Sequence, residues 1–143
     1  MAIKNYTSGV DVYTSLGAIQ GALAQHGARK IMIDYDAAGK PTGVMFGIDT
    51  PDGPRGFTLP ANVDGVMAVF ARQKLKADRQ QAERTAWKNV HDWVQAQMAI
   101  IEAGMVSMDE VFLPYMTDGR GNTLYQLYQG GQLALGEGGA WRD

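Results

Sequence analysis

The chain has 143 residues, 45% of them hydrophobic and 20% charged, with a net charge of −2. That balance describes one ordinary globular domain. It excludes a protein that binds polyanions over its whole surface, though not a local basic patch. With no cysteine in the chain, disulfides and thiolate chemistry are excluded as well.

The opening stretch MAIKNYTSG lacks the apolar run of a signal peptide. No stretch reaches the ~18 apolar residues needed to cross a bilayer. The expectation is a cytoplasmic protein with no membrane association. Residues 8–27 read as a first helix, with Val12, Leu16, Ile19 and Leu23 as its apolar stripe, Ser8 or Asp11 as its cap and Gly27 as its end. Gly17 and Gly21, flanked by Ala18 and Ala22, leave a second face nearly bare. Each interior glycine costs about 1 kcal/mol against alanine. The compensation expected is close approach of another backbone, from a neighbouring helix, the sheet or a second subunit. The competing reading is a poorly formed helix.

A three-stranded antiparallel meander follows. Ile31, Ile33 and Tyr35 alternate with Met32 and Asp34, and Val44, Phe46 and Ile48 alternate with Met45 and Gly47. Phe57 and Leu59 mark a short third strand. The turns are DAAGKP and DTPDGP. One sheet face carries the Ile, Val, Phe and Leu residues, and the other is thinner in apolar groups.

Asn62 reads as the N-cap of a second helix with Val63, Val66, Met67 and Phe70 facing the core. From Ala71 to Arg84 the apolar pattern nearly stops, and no glycine or proline breaks it. This stretch either runs unbroken into the central helix or breaks near Asp78 to Gln81. The central helix spans Thr85 to Gly104 and has an unusually wide apolar face that includes Trp87, Val90, Trp93, Val94, Met98 and Ile101. Ser107 and Glu110 form a capping box for a short helix that Pro114 ends. Thr123–Gln129 makes one or two helical turns. The fold class expected is therefore α+β: an N-terminal helix, a three-stranded meander and a helical C-terminal half around a long central helix, in one domain over 1–135. The glycine-rich stretch 136–143 is expected to be a flexible tail. The wide apolar face and the glycine face together predict a homo-oligomer.

One stretch stands out chemically. Arg72, Lys74, Lys76, Arg79, Arg84 and Lys88 are opposed locally only by Asp78 and Glu83, a local charge of +4 against −6 for the rest of the chain. On a helix Arg72, Lys76 and Arg79 would share a face, and such a row can follow a phosphate backbone, with Gln73, Gln80 and Gln81 beside it to reach sugar or base. The competing reading is a solvated helix surface. The other candidates are weaker. His91 has only Trp87 and Gln95 one turn away, so it lacks a zinc-binding partner. Asp34, Asp36, Asp49 and Asp52 surround the hairpins, where turns themselves favour Asp. No phosphate-cradling loop and no nucleophile elbow is present. No catalytic residue, metal or cofactor is expected. Trp141, near Arg142, is a candidate partner-binding anchor.

The stretch from Trp87 to Tyr128 resembles small uncharacterised proteins encoded by prophages and other mobile elements. The matching segments within it are DWVQAQMAIIEAGM at Asp92–Met105 and EVFLPY at Glu110–Tyr115, and outside it GARKIMIDYD at Gly27–Asp36 is also similar to theirs. The resemblance implies a mobile-element origin and a host-cytoplasmic setting, and it assigns no role to any residue. Together with the basic run it leads to the expectation of a non-enzymatic accessory protein that binds nucleic acid, single-stranded DNA being one form. The alternative is a protein-binding inhibitor or assembly factor, such as a counter-defence protein acting on a host protein.

Overall fold

The computed structural model describes residues 1–131. Trp141 and the stretch 136–143, with the expected domain boundary at 135, lie outside the described residues. The elements are α1 (Val12–Gln25), β1 (Ala28–Tyr35), β2 (Pro41–Thr50), β3 (Gly53–Pro60), α2 (Val63–Arg72), α3 (Arg79–Glu102), α4 (Met108–Phe112), a 3-10 turn (Leu113–Tyr115), β4 (Met116–Thr117) and α5 (Leu124–Gln129). The class is α+β, as the sequence predicts. The sheet, however, has four antiparallel strands in the order β1-β2-β3-β4 rather than three. The added strand is two residues long, pairing Gly56 with Thr117 and Phe57 with Met116. Two residues are too few to show an alternating pattern, and Thr117 reads as the start of a turn.

Register aligns the apolar positions across the sheet. Ile31 faces Phe46 and Ile33 faces Val44, while Phe46 faces Phe57 and Val44 faces Leu59. Val44, Phe46, Ile48, Phe57 and Leu59 are buried. Phe112 of α4 closes this face, edge-on to both Phe46 and Phe57. On the opposite face Met32 remains 60% exposed.

Helices α1 and α3 run in the same direction. Ser8, just before α1, is held by Gln81 and Arg84 near the start of α3, and His26, just after α1, meets Glu102 at the end of α3. Leu16, Ile19 and Leu23 of α1 and Ala86, Trp87, Val94 and Met98 of α3 are buried in the common core. Helix α1 begins later than the sequence suggests, because Asp11 rather than Ser8 is its cap. Its glycine face is open: a Cβ built at Gly17 or Gly21 meets nothing within 4 Å. No neighbouring helix or strand of the described chain makes the expected close approach.

Helix α3 starts at Arg79 and ends in a Schellman motif. Met105 N–H donates to Ile100 O and Gly104 N–H to Ile101 O, with Gly104 at φ 76°. Most of its wide apolar face is covered within the chain. Trp87 and Val94 are fully buried, whereas Trp93 keeps 37% of its surface.

Candidate nucleic-acid interface

The basic run does not lie on one helix: of the two alternatives the sequence leaves open the chain takes the break, though before Arg79 rather than near Asp78 to Gln81. Helix α2 stops at Arg72, and residues 73–78 form a connection before α3. Arg72, Lys76 and Arg79 therefore do not form a helical row. The stop is again a Schellman motif: Leu75 N–H donates to Phe70 O and Lys74 N–H to Ala71 O. The left-handed position that glycine normally fills is taken by Lys74, at φ 58°. The break consequently carries no glycine to announce it. Asp78 starts α3 by accepting from Gln81 N–H at 2.9 Å.

The six candidate cations divide into two groups. Arg72, Lys74 and Lys76 are exposed and have no side-chain partner among the described residues. The other three are engaged. Arg79 donates to Asp64 at 2.7 Å, with both side chains largely in solvent. Arg84 donates through Nε to Ser8 O at 3.2 Å and through Nη2 to Gln81 Oε1 at 2.6 Å. Lys88 donates to Asp92 at 2.7 Å, one turn along α3.

Asp92 is a hub. It also accepts from Asn5 at 2.9 Å and pairs with Lys4 at 3.4 Å. The hydrogen bond from Lys88 first, and those from Asn5 and Lys4 after it, hold its carboxyl down to about 2. Through this hub the first residues of the chain are strapped across α3. Ile3 N–H donates to Gln73 Oε1 at 2.8 Å, Asn89 Oδ1 accepts from Asn5 at 2.7 Å, and Thr85 Oγ1 donates to Asn5 O at 2.9 Å. Asn5 itself sits at φ 65°.

The strap brings an aromatic ring to the basic connection. An open cleft of about 670 Å³ is lined by Tyr6 and Thr7 from the strap, Lys76 and Asp78 from the connection, and Gln81 and Arg84 from α3. Sequence reading misses Tyr6 altogether, because it lies about seventy positions from the basic run and only the folded chain joins them. The glutamines behave differently from expectation. Gln73 is occupied by Ile3. Gln81 is occupied by Ser8 O, Thr85 and Arg84. Gln81 is thus engaged at both ends of its amide, whereas Gln73 is engaged only through its carbonyl oxygen.

Known proteins bring no family to this surface. No family model matches the chain, and neither does a curated protein or a solved structure.

Two of the candidate carboxylates are committed locally. Asp36 closes its own turn by accepting from Ala38 N–H and Lys40 N–H, each at 2.9 Å. Asp49 pairs with Arg29 at 3.3 Å. Both ring nitrogens of His91 are buried with no hydrogen-bond partner among the described residues. That burial, with Lys88 nearby, lowers its pKa against a weaker opposing pull from Asp92. No three His, Asp or Glu side chains gather into a metal-binding group among the described residues.

A second surface is uncharged. Trp93, Leu59, Pro60 and Tyr115 line one cleft of about 270 Å³, and Pro60, Pro114, Tyr115 and Tyr125 line a neighbouring one of about 650 Å³. Trp93 stands edge-on to Phe112 and Tyr115, at 5.5 and 5.9 Å. Tyr125 and Tyr128 lie in contact at 5.9 Å.

Proposed function

We propose that the chain is a non-enzymatic accessory protein of a mobile element that binds nucleic acid through the connection between α2 and α3, in the host cytoplasm. The observation that carries this reading is the cluster Arg72, Lys74 and Lys76, exposed and without partners among the described residues. Uncommitted cations release counterions when they meet phosphates, which is the main source of affinity for a nucleic-acid backbone. The strained backbone at Lys74 supports the reading, since such strain persists where an outward-aimed side chain is useful. Arg79 lies beside the cluster but is paired with Asp64. Arg84 and Lys88 contribute less, being held within the chain. Self-association through the open glycine face of α1 belongs to the same proposal.

The test is fluorescence anisotropy with single- and double-stranded oligonucleotides at ~50 and ~200 mM salt. About three phosphate contacts predict a loss of roughly 20- to 40-fold in affinity over that range. The triple reversal R72E/K74E/K76E should abolish binding. A wild-type protein that binds nothing at the lower salt would sink the reading.

The uncharged aromatic surface favours a second reading, a protein-binding inhibitor or assembly factor of the counter-defence kind. Tyrosine and tryptophan are common anchors at protein interfaces. Y125A/Y128A should then abolish capture of the partner protein, while the R72E/K74E/K76E variant captures it normally.

A further inference from the structure

We infer that the cleft between the N-terminal strap and the start of α3 is a stacking site for one base of a single strand, with Tyr6 as the platform and Lys76 and Arg84 at its phosphates. This rests on the nucleic-acid reading above and adds the form of the ligand. Tyr6 is 36% exposed, and among the described residues its hydroxyl makes no hydrogen bond and its ring pairs with no other ring. The other strongly exposed aromatics differ: Tyr125 and Tyr128 touch each other, Trp93 is packed on Phe112, and Tyr13 lies beside Tyr35.

The platform is held from both sides. Before it, Asn5 is tied to Thr85, Asn89 and Asp92. After it, the Ser8 carbonyl accepts from Gln81 and Arg84. A platform whose backbone is fixed on both sides before the ligand arrives has less freedom to lose on binding. Lys76 shares the cleft with Tyr6, and so does Arg84. Because Arg84 uses Nε and Nη2 internally, its Nη1 is the edge left for a phosphate oxygen. Asp78 also lines the cleft, but its carboxylate accepts from Gln81 N–H, and the face beside it suits an uncharged base better than a phosphate.

A base within a duplex is already stacked on its neighbours and cannot present a face to Tyr6, whereas an unpaired base can. Of the three glutamines, only Gln81 lines the cleft beside Tyr6, and both ends of its amide are engaged within the chain. Binding should therefore tolerate any sequence, as stacking does.

The experiment compares wild type, Y6A, Y6F, Y6W and R72E/K74E/K76E, as full chains, on a mixed-sequence single strand and on the same sequence as a duplex. At ~50 mM salt the single strand should bind about tenfold or more tighter than the duplex. Y6A should cut single-strand affinity about tenfold and leave duplex affinity unchanged. Y6F should bind like wild type, and Y6W should show tryptophan quenching on single-strand addition beyond that of wild type. Strand-neutral binding that is lost in the charge reversal but indifferent to Y6A would overturn the stacking site and leave the proposed function standing. Equal losses of single-strand and duplex binding in Y6A, or an unquenched Y6W, would also overturn it. No binding by wild type to either ligand removes both.

Discussion

Lys74 shows how one residue can serve two ends. An L-residue held at φ 58° gives up about 1 kcal/mol relative to glycine. K74G should therefore raise the thermal midpoint by a few degrees, while weakening oligonucleotide binding through loss of the charge. A destabilised K74G would mean that the lysine side chain holds the connection in place. His91 makes the opposite kind of demand. With its nitrogens buried and its pKa lowered below the ordinary 6.5, the folded chain resists protonation that the unfolded chain accepts. Its contribution to stability is therefore complete above about pH 6.5 and falls as the pH drops through and below that value. Urea midpoints at pH 7.5 and 5.5 should show a smaller acid loss in H91L than in wild type. Equal losses would assign the pH dependence to other groups.

Among the elements, α1 carries the clearest surplus. Gly17 and Gly21 stand in open space, so alanine at both should stabilise the folded chain by about 1 kcal/mol each, read as a higher urea midpoint. Leucine at both should leave the fold intact, because both positions are exposed and a Cβ at either meets nothing within 4 Å. By light scattering the leucine pair should convert an oligomer to a monomer if the glycine face is the contact between copies. A wild type that is already monomeric at micromolar concentration defeats the self-association proposal. The elements also divide by how legible they are in the sequence. The three meander strands with their apolar face, the capping box at Ser107 and Glu110, and the Gly104 cap can be read because each depends on residues within one turn or one hairpin. The break after α2 is open in the sequence but not placed by it, because a lysine occupies the position where glycine would have marked it. Strand β4 cannot be read, because its pairing is set by Gly56 and Phe57, sixty residues away. Of the candidate site, the Lys88–Asp92 pair is visible at i, i+4 spacing, whereas the Arg79–Asp64 pair and the arrival of Tyr6 depend on the finished fold.

At the scale of the whole molecule, the basic stretch and the acidic remainder are less separate than their charges of +4 and −6 suggest, since Arg79 is neutralised by Asp64 and Lys88 by Asp92. What remains uncommitted is a short positive connection beside an aromatic strap. That strap joins residues 3–8 to residues 73–92, with separations of 70 to 87 positions. Contacts so distant in sequence close late, after the loop between them has been ordered. During synthesis the first residues must therefore wait until most of the chain has emerged. Disrupting the strap by D92A should accelerate unfolding and leave the refolding rate nearly unchanged, a separation that stopped-flow chevrons resolve. A slowed refolding limb would instead put the strap in the folding nucleus. If it does form last, the strap is also the part that opens first, and Tyr6 would be carried away from Lys76 and Arg84 before the core around Trp87 loosens.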